Sequence, residues 1–259
     1  MLKPTDLIFS LGPNCKNSWN LRNYFGFERA YPFDWWTTPA KSMLKMIEKG
    51  FEFNVRKEDL FITPPTEHNT VYNYKLNVLH HHDFPRTWGE YPGVIFSVTG
   101  KDIKAINRKY TFLFNRLFQD VAQAEKAIAV VNHCYVGWEE SLKGVVTNKA
   151  LNGYISPAEL AKEVRDRLGK KLRLVFIDAG EEIYEEYGWG WIIREPDNGT
   201  RENIKGTDFA EPIHAFRQAY KKLDISLTQK PIEETESRSF ATRHLLEILR
   251  NLIRGSGSH

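Results

Sequence analysis

The chain has 259 residues, of which 41% are hydrophobic and 27% charged, and these near-average values exclude a disordered or fibrous protein. The net charge of +3 comes from mixed signs without a long Lys/Arg run, which argues against nucleic-acid binding. No apolar stretch reaches the roughly 20 residues that a membrane-spanning helix needs, and only 2 cysteines occur, so we expect a cytoplasmic protein without a disulfide framework.

The N-terminal elements are a strand and two helices. Residues 7–11 form a short apolar run that ends at Gly12-Pro13-Asn14, which predicts a buried strand followed by a turn. A helix is predicted over residues 16–25. A second helix is predicted to begin with Thr38 as its N-cap and Pro39 at its first position, and to end at Gly50.

The middle of the chain contains the clearest helix. Residues 71–79 alternate weakly, which predicts a strand that runs into His80, and residues 93–98 are predicted to be a strand or a loop. Between about residues 102 and 124, apolar side chains recur at steps of three and four and predict a long amphipathic helix. These side chains are Ile103, Ile106, Tyr110, Leu113, Leu117 and Val121.

The C-terminal half continues with alternating strands and helices. Buried strands are predicted over 127–131, 172–177 and 189–193. Ser156-Pro157 has the form of a helix start, and that helix is predicted to reach about residue 168. The remaining predictions are a loop over 195–208 and helices near 212–223 and 235–253.

The order of the elements predicts the fold class. Apolar strands that alternate with helices indicate an α/β protein with a mainly parallel sheet and helices on both faces, a three-layer, Rossmann-like arrangement. We predict one α/β domain over residues 1–254. The last residues, 255–259 (GSGSH), are interpreted as an added linker with the start of a tag.

Side chains of reactive or ligand-binding types follow four of the predicted strands. In open parallel sheets, ligands bind beyond the carboxyl ends of the strands. The strand ends carry Asn14 and Cys15, then His80, His81, His82 and Asp83, then Asn132, His133 and Cys134, and finally Asp178. The alternative is that strand ends expose polar residues whatever their role.

Cys15 is the sharpest candidate for a nucleophile. A thiol at the start of a helix lies at the positive end of the helix dipole, which stabilises the thiolate and lowers its pKa. Asn14 and the neighbouring amides could hold an oxyanion, His82 could be the base, and Asp83 or Asp34 could orient that histidine. The alternatives are that Cys15 packs a strand against a helix, and that Asp34 anchors loop amides.

A metal site has less support than a thiol site. Neighbouring histidines on a strand point to opposite faces, so only His80 and His82 could share an ion, with help from His133 or Asp178. The sequence contains no HExxH, paired CxxC, GxGxxG or P-loop motif. We therefore predict neither a metal nor a cofactor. The segment 188–191 (GWGW) could line a flat ligand, although packing is the stronger interpretation.

Several motifs occur in an order that resembles a known family. They are SLGPNC at residues 10–15, LR at 21–22, YPFDW at 31–35 and HDF at 82–84. The chain resembles, over roughly residues 5–120, a bacterial and viral family described as papain-like cysteine peptidases. The resemblance implies that Cys15 is the nucleophile and His82 its base, and it makes a papain-like α+β fold the alternative architecture. It also implies an association with genes for surface polysaccharides.

These observations lead to three hypotheses. The first is a thiol-dependent hydrolase or acyltransferase that acts on a small-molecule, glycan or peptide substrate. Its candidate substrate-binding residues are Asn14, Trp35, His80, Asn132, His133 and Asp178. The second is a transferase acting on a sugar or nucleotide-linked donor, in which Cys15 is structural and the ligand is bound by His82, Asp83, His133 and Asp178. The third is a non-catalytic binding module.

Overall fold

A computed structural model describes residues 7–26, 29–63, 69–87, 93–132, 155–196, 202–203, 210–211 and 213–225. The strands are β1 (Leu7–Ser10), β2 (Leu60–Ile62), β3 (Val71–Asn73), β4 (Val78–His80), β5 (Ala127–Asn132), β6 (Arg173–Ala179), β7 (Ile183–Tyr187), β8 (Gly190–Glu195), β9 (Glu202–Asn203) and β10 (Ala210–Glu211). The helices are α1 (Cys15–Phe25), α2 (Ala40–Met46), α3 (Gly100–Gln123), α4 (Pro157–Leu168) and α5 (Ile213–Lys222), with 3₁₀ turns at Pro32–Asp34 and Lys57–Asp59.

The main sheet has five strands in the order β1-β5-β6-β8-β7. The first four are parallel to one another, and β7 is an antiparallel edge strand joined to β8. The predicted α/β class with a mainly parallel sheet is therefore confirmed. The edge hairpin adds an antiparallel pair that the sequence analysis did not anticipate.

Helices cover both faces of this sheet. Alternate strand residues such as Phe9, Ala129 and Phe176 point into one core, which they share with α3 and α4. The residues between them, such as Ile8 and Val130, point into a second core shared with α5 and with Leu21 of α1. Because both faces are covered, the strands are apolar throughout rather than alternating, which is why they were recognisable as buried strands.

A second, smaller sheet lies in the long connection between β1 and β5. Its order is β2-β3-β4, and both pairs are antiparallel. The prediction of one strand over residues 71–79 is therefore wrong: the chain turns between β3 and β4, where Asn77 adopts a positive φ of 55°. Asparagine tolerates that conformation better than most residues. His80 consequently ends a strand of the small sheet, not of the main sheet.

Several other boundaries differ from the prediction. Thr38 does not cap α2, because the helix begins at Ala40 and Pro39 therefore occupies the N-cap position. Residues 93–98 form no strand. The predicted helix at 235–253, the tag at 255–259 and most of the predicted loop at 195–208 fall outside the described residues.

Two of the helix predictions, over about 102–124 and from Ser156 to about 168, are confirmed. α3 begins with a capping box in which Thr99 and Asp102 satisfy each other's backbone N–H groups, and its predicted apolar stripe packs into the first core. α4 begins after Ser156, whose hydroxyl accepts a hydrogen bond from the N–H of Glu159. Among the described helices, none combines the length and the apolarity needed to cross a bilayer.

Candidate active site

Cys15 is the first residue of α1, immediately after the turn that follows β1. Its thiol is half buried. Asn14 has extended backbone angles and caps the helix, because its Oδ1 accepts a hydrogen bond from the N–H of Lys16 at 3.1 Å. Gly12 adopts a φ of 84°, a left-handed conformation that glycine allows without a side-chain clash. The turn therefore delivers Cys15 to the positive end of the helix.

Buried polar side chains hold this turn against the main sheet. The hydroxyl of Ser10 accepts a hydrogen bond from the N–H of Gly12 at 3.1 Å. The side-chain amide of Asn17 is fully buried and donates to the carbonyls of Gly12 and Val130, so it joins the turn to β5. These contacts leave little freedom for the residues around Cys15.

Two predicted polar residues lie at the same edge of the main sheet. The N–H of Asn132, at the end of β5, donates to the carbonyl of Gly12 at 3.1 Å. Asn132 pairs with Ile177 of β6, and Asp178 is the next residue along that strand. The strand ends carrying Cys15, Asn132 and Asp178 are thus neighbours. His133 lies outside the described residues.

The histidine segment reaches this edge through residues 37 and 38. The backbone N–H of Thr38 donates to the carbonyl of Pro13 at 2.6 Å. Thr37 exchanges two backbone hydrogen bonds with Leu79, at 3.0 and 3.2 Å. The turn before Cys15 and the strand before His80–Asp83 are therefore both tied to one short segment, although they belong to different sheets.

One face of α1 points toward the segment that contains Asp34 and Trp35. Cys15, Ser18 and Arg22 follow one another at steps of three and four residues and share a helix face. Ser18 donates to one oxygen of Asp34 at 2.7 Å, and Arg22 donates to the other at 2.9 Å.

Asp34 is a structural anchor. Besides Ser18 and Arg22, its carboxylate accepts a hydrogen bond from the N–H of Tyr31 at 2.9 Å, and its side chain is buried. Burial raises the pKa of Asp34, and the charge of Arg22 opposes that shift. The prediction that Asp34 holds His82 does not match these contacts, because both oxygens are used inside the core.

His82 packs against Trp35. The two rings meet edge to face, with their centroids 5.5 Å apart and their planes at 74°. Trp35 also contacts Arg22, whose guanidinium carbon lies 5.0 Å from the centre of the Trp35 ring. His82 reaches solvent, yet the surrounding protein desolvates its ring enough to lower its pKa. The charge of Asp83 opposes this shift, and Arg86 and Lys109 add to it.

His80 and Asp83 form a different arrangement, inside the core. The Nδ1 of His80 and an oxygen of Asp83 are 2.9 Å apart, and both side chains are fully buried. Asp83 also accepts hydrogen bonds from the indole N–H of Trp36 at 2.8 Å, from Tyr110 at 2.8 Å and from Lys109 at 2.7 Å. We call His80, Asp83, Trp36, Lys109 and Tyr110 the buried hub.

The electrostatics of the buried hub fix Asp83 as an anion. Burial by itself raises the pKa of Asp83, but the hydrogen bond with His80 and the charge of Lys109 outweigh it, and the net pKa lies well below its ordinary value. The same burial, with Asp83 nearby, raises the pKa of Tyr110, so Tyr110 remains a neutral donor.

The structure therefore changes the roles predicted for two residues. Asp83 has no hydrogen bond with His82 within the described part of the chain, because the residues bend after His80 and send the Asp83 side chain inward and the His82 ring outward. His80 has no exposed surface, so the prediction that it binds substrate is wrong. The spacing His80-x-x-Asp83 was the available signal for the buried pair.

The sequence also did not reveal the other partners of the buried hub. Trp36, Lys109 and Tyr110 come from distant segments, and only the fold brings them to Asp83. Within 188–191, the packing interpretation is confirmed at both tryptophans: Trp191 is buried and Trp189 lies edge to face on Phe176.

No group of three His, Cys, Asp or Glu side chains in the described ranges is arranged to hold a metal ion. In particular, His80 and His82 cannot share one: His80 is turned into the core by Asp83, and His82 lies on the surface against Trp35.

One family matches the chain. It is described as "Putative papain-like cysteine peptidase (DUF1796)", and the match covers residues 6–150, which include the turn at Cys15, Trp35, the buried hub and His82. No curated protein matches the chain, and no solved structure does.

Proposed function

Because the chain belongs to the "Putative papain-like cysteine peptidase" family, we propose that it is a thiol-dependent hydrolase or acyltransferase in which Cys15 is the nucleophile and His82 the general base. One observation carries most of the proposal. Cys15 shares a helix face with Arg22, and Arg22 covers Trp35, against which the His82 ring packs. Cys15 therefore lies on a helix face that also carries Arg22, and Arg22 and His82 both contact Trp35.

The position of Cys15 favours its thiolate. The first turn of α1 presents backbone N–H groups and the positive end of the helix dipole, both of which stabilise a negative sulfur. No acidic side chain lies in that first turn to oppose the effect. Half burial leaves the sulfur within reach of a substrate carbonyl.

The environment of His82 suits a base at neutral pH. Desolvation lowers its pKa below the ordinary histidine value, so the ring is neutral and can accept a proton. The nearby charge of Asp83 stabilises the imidazolium that forms when the proton arrives. Asp83 acts on His82 through this charge, since its hydrogen bonds are all made in the buried hub.

The proposed reaction proceeds in two steps, acylation of Cys15 and transfer of the acyl group. In the first, His82 takes the thiol proton, the sulfur of Cys15 forms a bond to the substrate carbonyl carbon, and the leaving group departs with a proton from His82, which leaves a thioester. In the second, His82 takes a proton from water or from an acceptor alcohol or amine, whose oxygen or nitrogen attacks the thioester and releases the acyl product and the Cys15 thiol.

Asn14 is the proposed oxyanion donor. Its Oδ1 is held by the N–H of Lys16, and this fixes the plane of the amide. The amide nitrogen Nδ2 then has a set direction at the N-terminal end of α1, beside Cys15. A fixed donor of this kind stabilises the negative oxygen that develops during attack without having to reorganise.

The experiment is acylation by a simple activated ester, p-nitrophenyl acetate, because it requires no knowledge of the natural substrate. We expect a burst of p-nitrophenolate and a stable acetyl adduct on Cys15 in the intact protein by mass spectrometry. Cys15→Ala is expected to lose the burst and the adduct, whereas Cys134→Ala, which removes the other cysteine, retains both. A burst of the same size in Cys15→Ala would contradict the proposal.

The transferase hypothesis has weaker support than the thiol hypothesis. It relied on His82, Asp83, His133 and Asp178 binding a sugar-linked ligand. Among these, the Asp83 side chain is fully buried and makes its hydrogen bonds in the buried hub. Thermal stabilisation by a sugar nucleotide that persists in Cys15→Ser would favour it over the thiol mechanism.

A further inference from the structure

We propose that Trp35 positions the His82 ring. It would thus have the role that a carboxylate or amide has in other nucleophilic sites, where that group orients the base. This inference rests on the proposed function, since it assigns a device to the same site. It arises from the contacts of His82: in the described part of the chain they are ring contacts with Trp35 and His81, and no side-chain hydrogen bond holds the imidazole.

Trp35 is itself held by a second contact. The guanidinium of Arg22 lies over its ring at 5.0 Å, and Arg22 is held by its ion pair with Asp34 at 2.9 Å. Asp34 in turn is buried and bound to Ser18 and to the N–H of Tyr31. The ring of Trp35 therefore belongs to a chain of contacts that begins on the helix face of Cys15.

The backbone beside Trp35 is equally constrained. Trp36 is anchored by its hydrogen bond to Asp83, and Thr37 is bonded to Leu79. Segments before and after His82 are thus tied to the residues that follow Trp35. Movement of Trp35 relative to His82 would break contacts on both sides, so the pair behaves as one unit.

An edge-to-face aromatic contact can perform two tasks for a base. It restricts the ring to a small range of orientations, and it excludes water from one side of the imidazole. The charged groups near His82 are Asp83, which favours its protonated form, and Arg86 and Lys109, which disfavour it, while Arg22 lies beyond Trp35. Removing the indole should hydrate the ring and weaken the effect of burial.

The test is the titration of His82, followed by NMR in the Cys15→Ala background so that the thiol has no influence. We expect the His82 pKa to rise toward its ordinary value, about 6.5, in Trp35→Ala, and to stay near the starting value in Trp35→Phe, which keeps an aromatic ring. With Cys15 present, the acetylation rate should fall about tenfold in Trp35→Ala and recover most of that loss in Trp35→Phe.

A matched control is Trp189→Ala. Trp189 is also half buried and packs on Phe176 and Tyr187, so its loss removes similar packing without a contact to His82. We expect it to leave the His82 titration unchanged. If Trp35→Ala does not fold, Trp35→Leu keeps bulk without a ring and should give the same upward shift.

The failures of the two proposals can be told apart. An unchanged His82 titration in a folded Trp35→Ala or Trp35→Leu protein would overturn the positioning role, whether or not Cys15 is acylated. Absence of acylation in the unsubstituted chain, combined with a shifted titration in Trp35→Ala, would sink the proposed function and leave the placement of the ring by Trp35 supported.

Discussion

His80 and His82 are two residues apart, yet the fold gives them opposite environments. His80 lies in the buried hub with a carboxylate on its Nδ1, no exposed surface and aromatic neighbours such as Trp36. His82 lies on the surface against Trp35 and has a lowered pKa. The comparison shows that a histidine–aspartate pair does not by itself mark a catalytic base: here the better-bonded histidine is the structural one, and the accessible one suits chemistry.

The two buried aspartates sharpen the same contrast. Asp34 has a raised pKa because burial outweighs its ion pair with Arg22. Asp83 has a lowered pKa because its buried bond with His80 and its ion pair with Lys109 outweigh the same burial effect. Both carboxylates make their hydrogen bonds with neighbouring scaffold residues. The His82 ring is contacted by the aromatic rings of Trp35 and His81 instead.

The largest expected effect is the loss of the buried hub. Asp83→Ala removes the group that four side chains share and leaves three buried ones, His80, Trp36 and Tyr110, without this partner. We expect the free energy of unfolding to fall by about 3–5 kcal/mol, measured by urea denaturation at neutral pH.

A control for this substitution is Asp102→Ala, which removes an exposed carboxylate from the capping box of α3. Its expected cost is only about 1 kcal/mol. Equal losses for the two substitutions would show that Asp83 is not the centre of a cooperative hub.

The next effect separates the two histidines directly. His82→Asn should lower the acetylation rate of Cys15 by about 100-fold, as expected for loss of a general base, and change the free energy of unfolding by less than about 0.5 kcal/mol. His80→Asn should leave the acetylation rate nearly unchanged and lower the free energy of unfolding by about 2 kcal/mol. Acetylation that depends on His80 and not on His82 would exchange the roles assigned here.

Tyr110 offers a smaller test of the hub. Tyr110→Phe keeps the aromatic packing and removes one hydrogen bond to the Asp83 carboxylate. The expected cost is about 1.5–3 kcal/mol in the free energy of unfolding, because the acceptor is charged. The acetylation rate at neutral pH should be unchanged, since Asp83 keeps its bonds to His80, Trp36 and Lys109 and so remains an anion near His82; a large drop in rate would argue that the hub is part of the reacting site.

The smallest effect is an acid dependence of stability. The pKa of Asp83 is lower in the folded chain than its ordinary value of 3.8, so the stabilisation is fully present above that value and is lost as the pH falls through the folded pKa. Asp83→Asn should therefore flatten the decline of the unfolding free energy below about pH 4. If the unfolding free energy falls equally at acid pH in both proteins, Asp83 is not held as an anion.

The sequence predicted the main architecture because the relevant signals are local. Apolar runs at residues 7–11, 127–131 and 172–177 correspond to β1, β5 and β6, and the stripe in α3 has clear helical spacing. The polar residues that follow those runs meet at one edge as a consequence of parallel pairing.

The remaining features depend on contacts between distant segments. Residues 71–79 were predicted as one strand because the alternation of apolar residues continues through the turn at Asn77, and only the backbone conformation reveals the hairpin. The inward direction of Asp83 is set by Trp36, Lys109 and Tyr110, none of which is close to it in the chain. A residue's strand-end position therefore indicated where the proposed site lies but not which histidine is accessible there.

The central claim is that Cys15 and His82 interact, and the most direct test is the reciprocity of their titrations. If they interact, removing the imidazole in His82→Asn shifts the pKa of Cys15, measured by the pH dependence of its alkylation by iodoacetamide. Removing the thiol in Cys15→Ala then shifts the pKa of His82, measured by NMR, by the same amount in the opposite direction. We expect two equal shifts, upward for Cys15 and downward for His82; titrations that are unchanged in both variants would contradict the account.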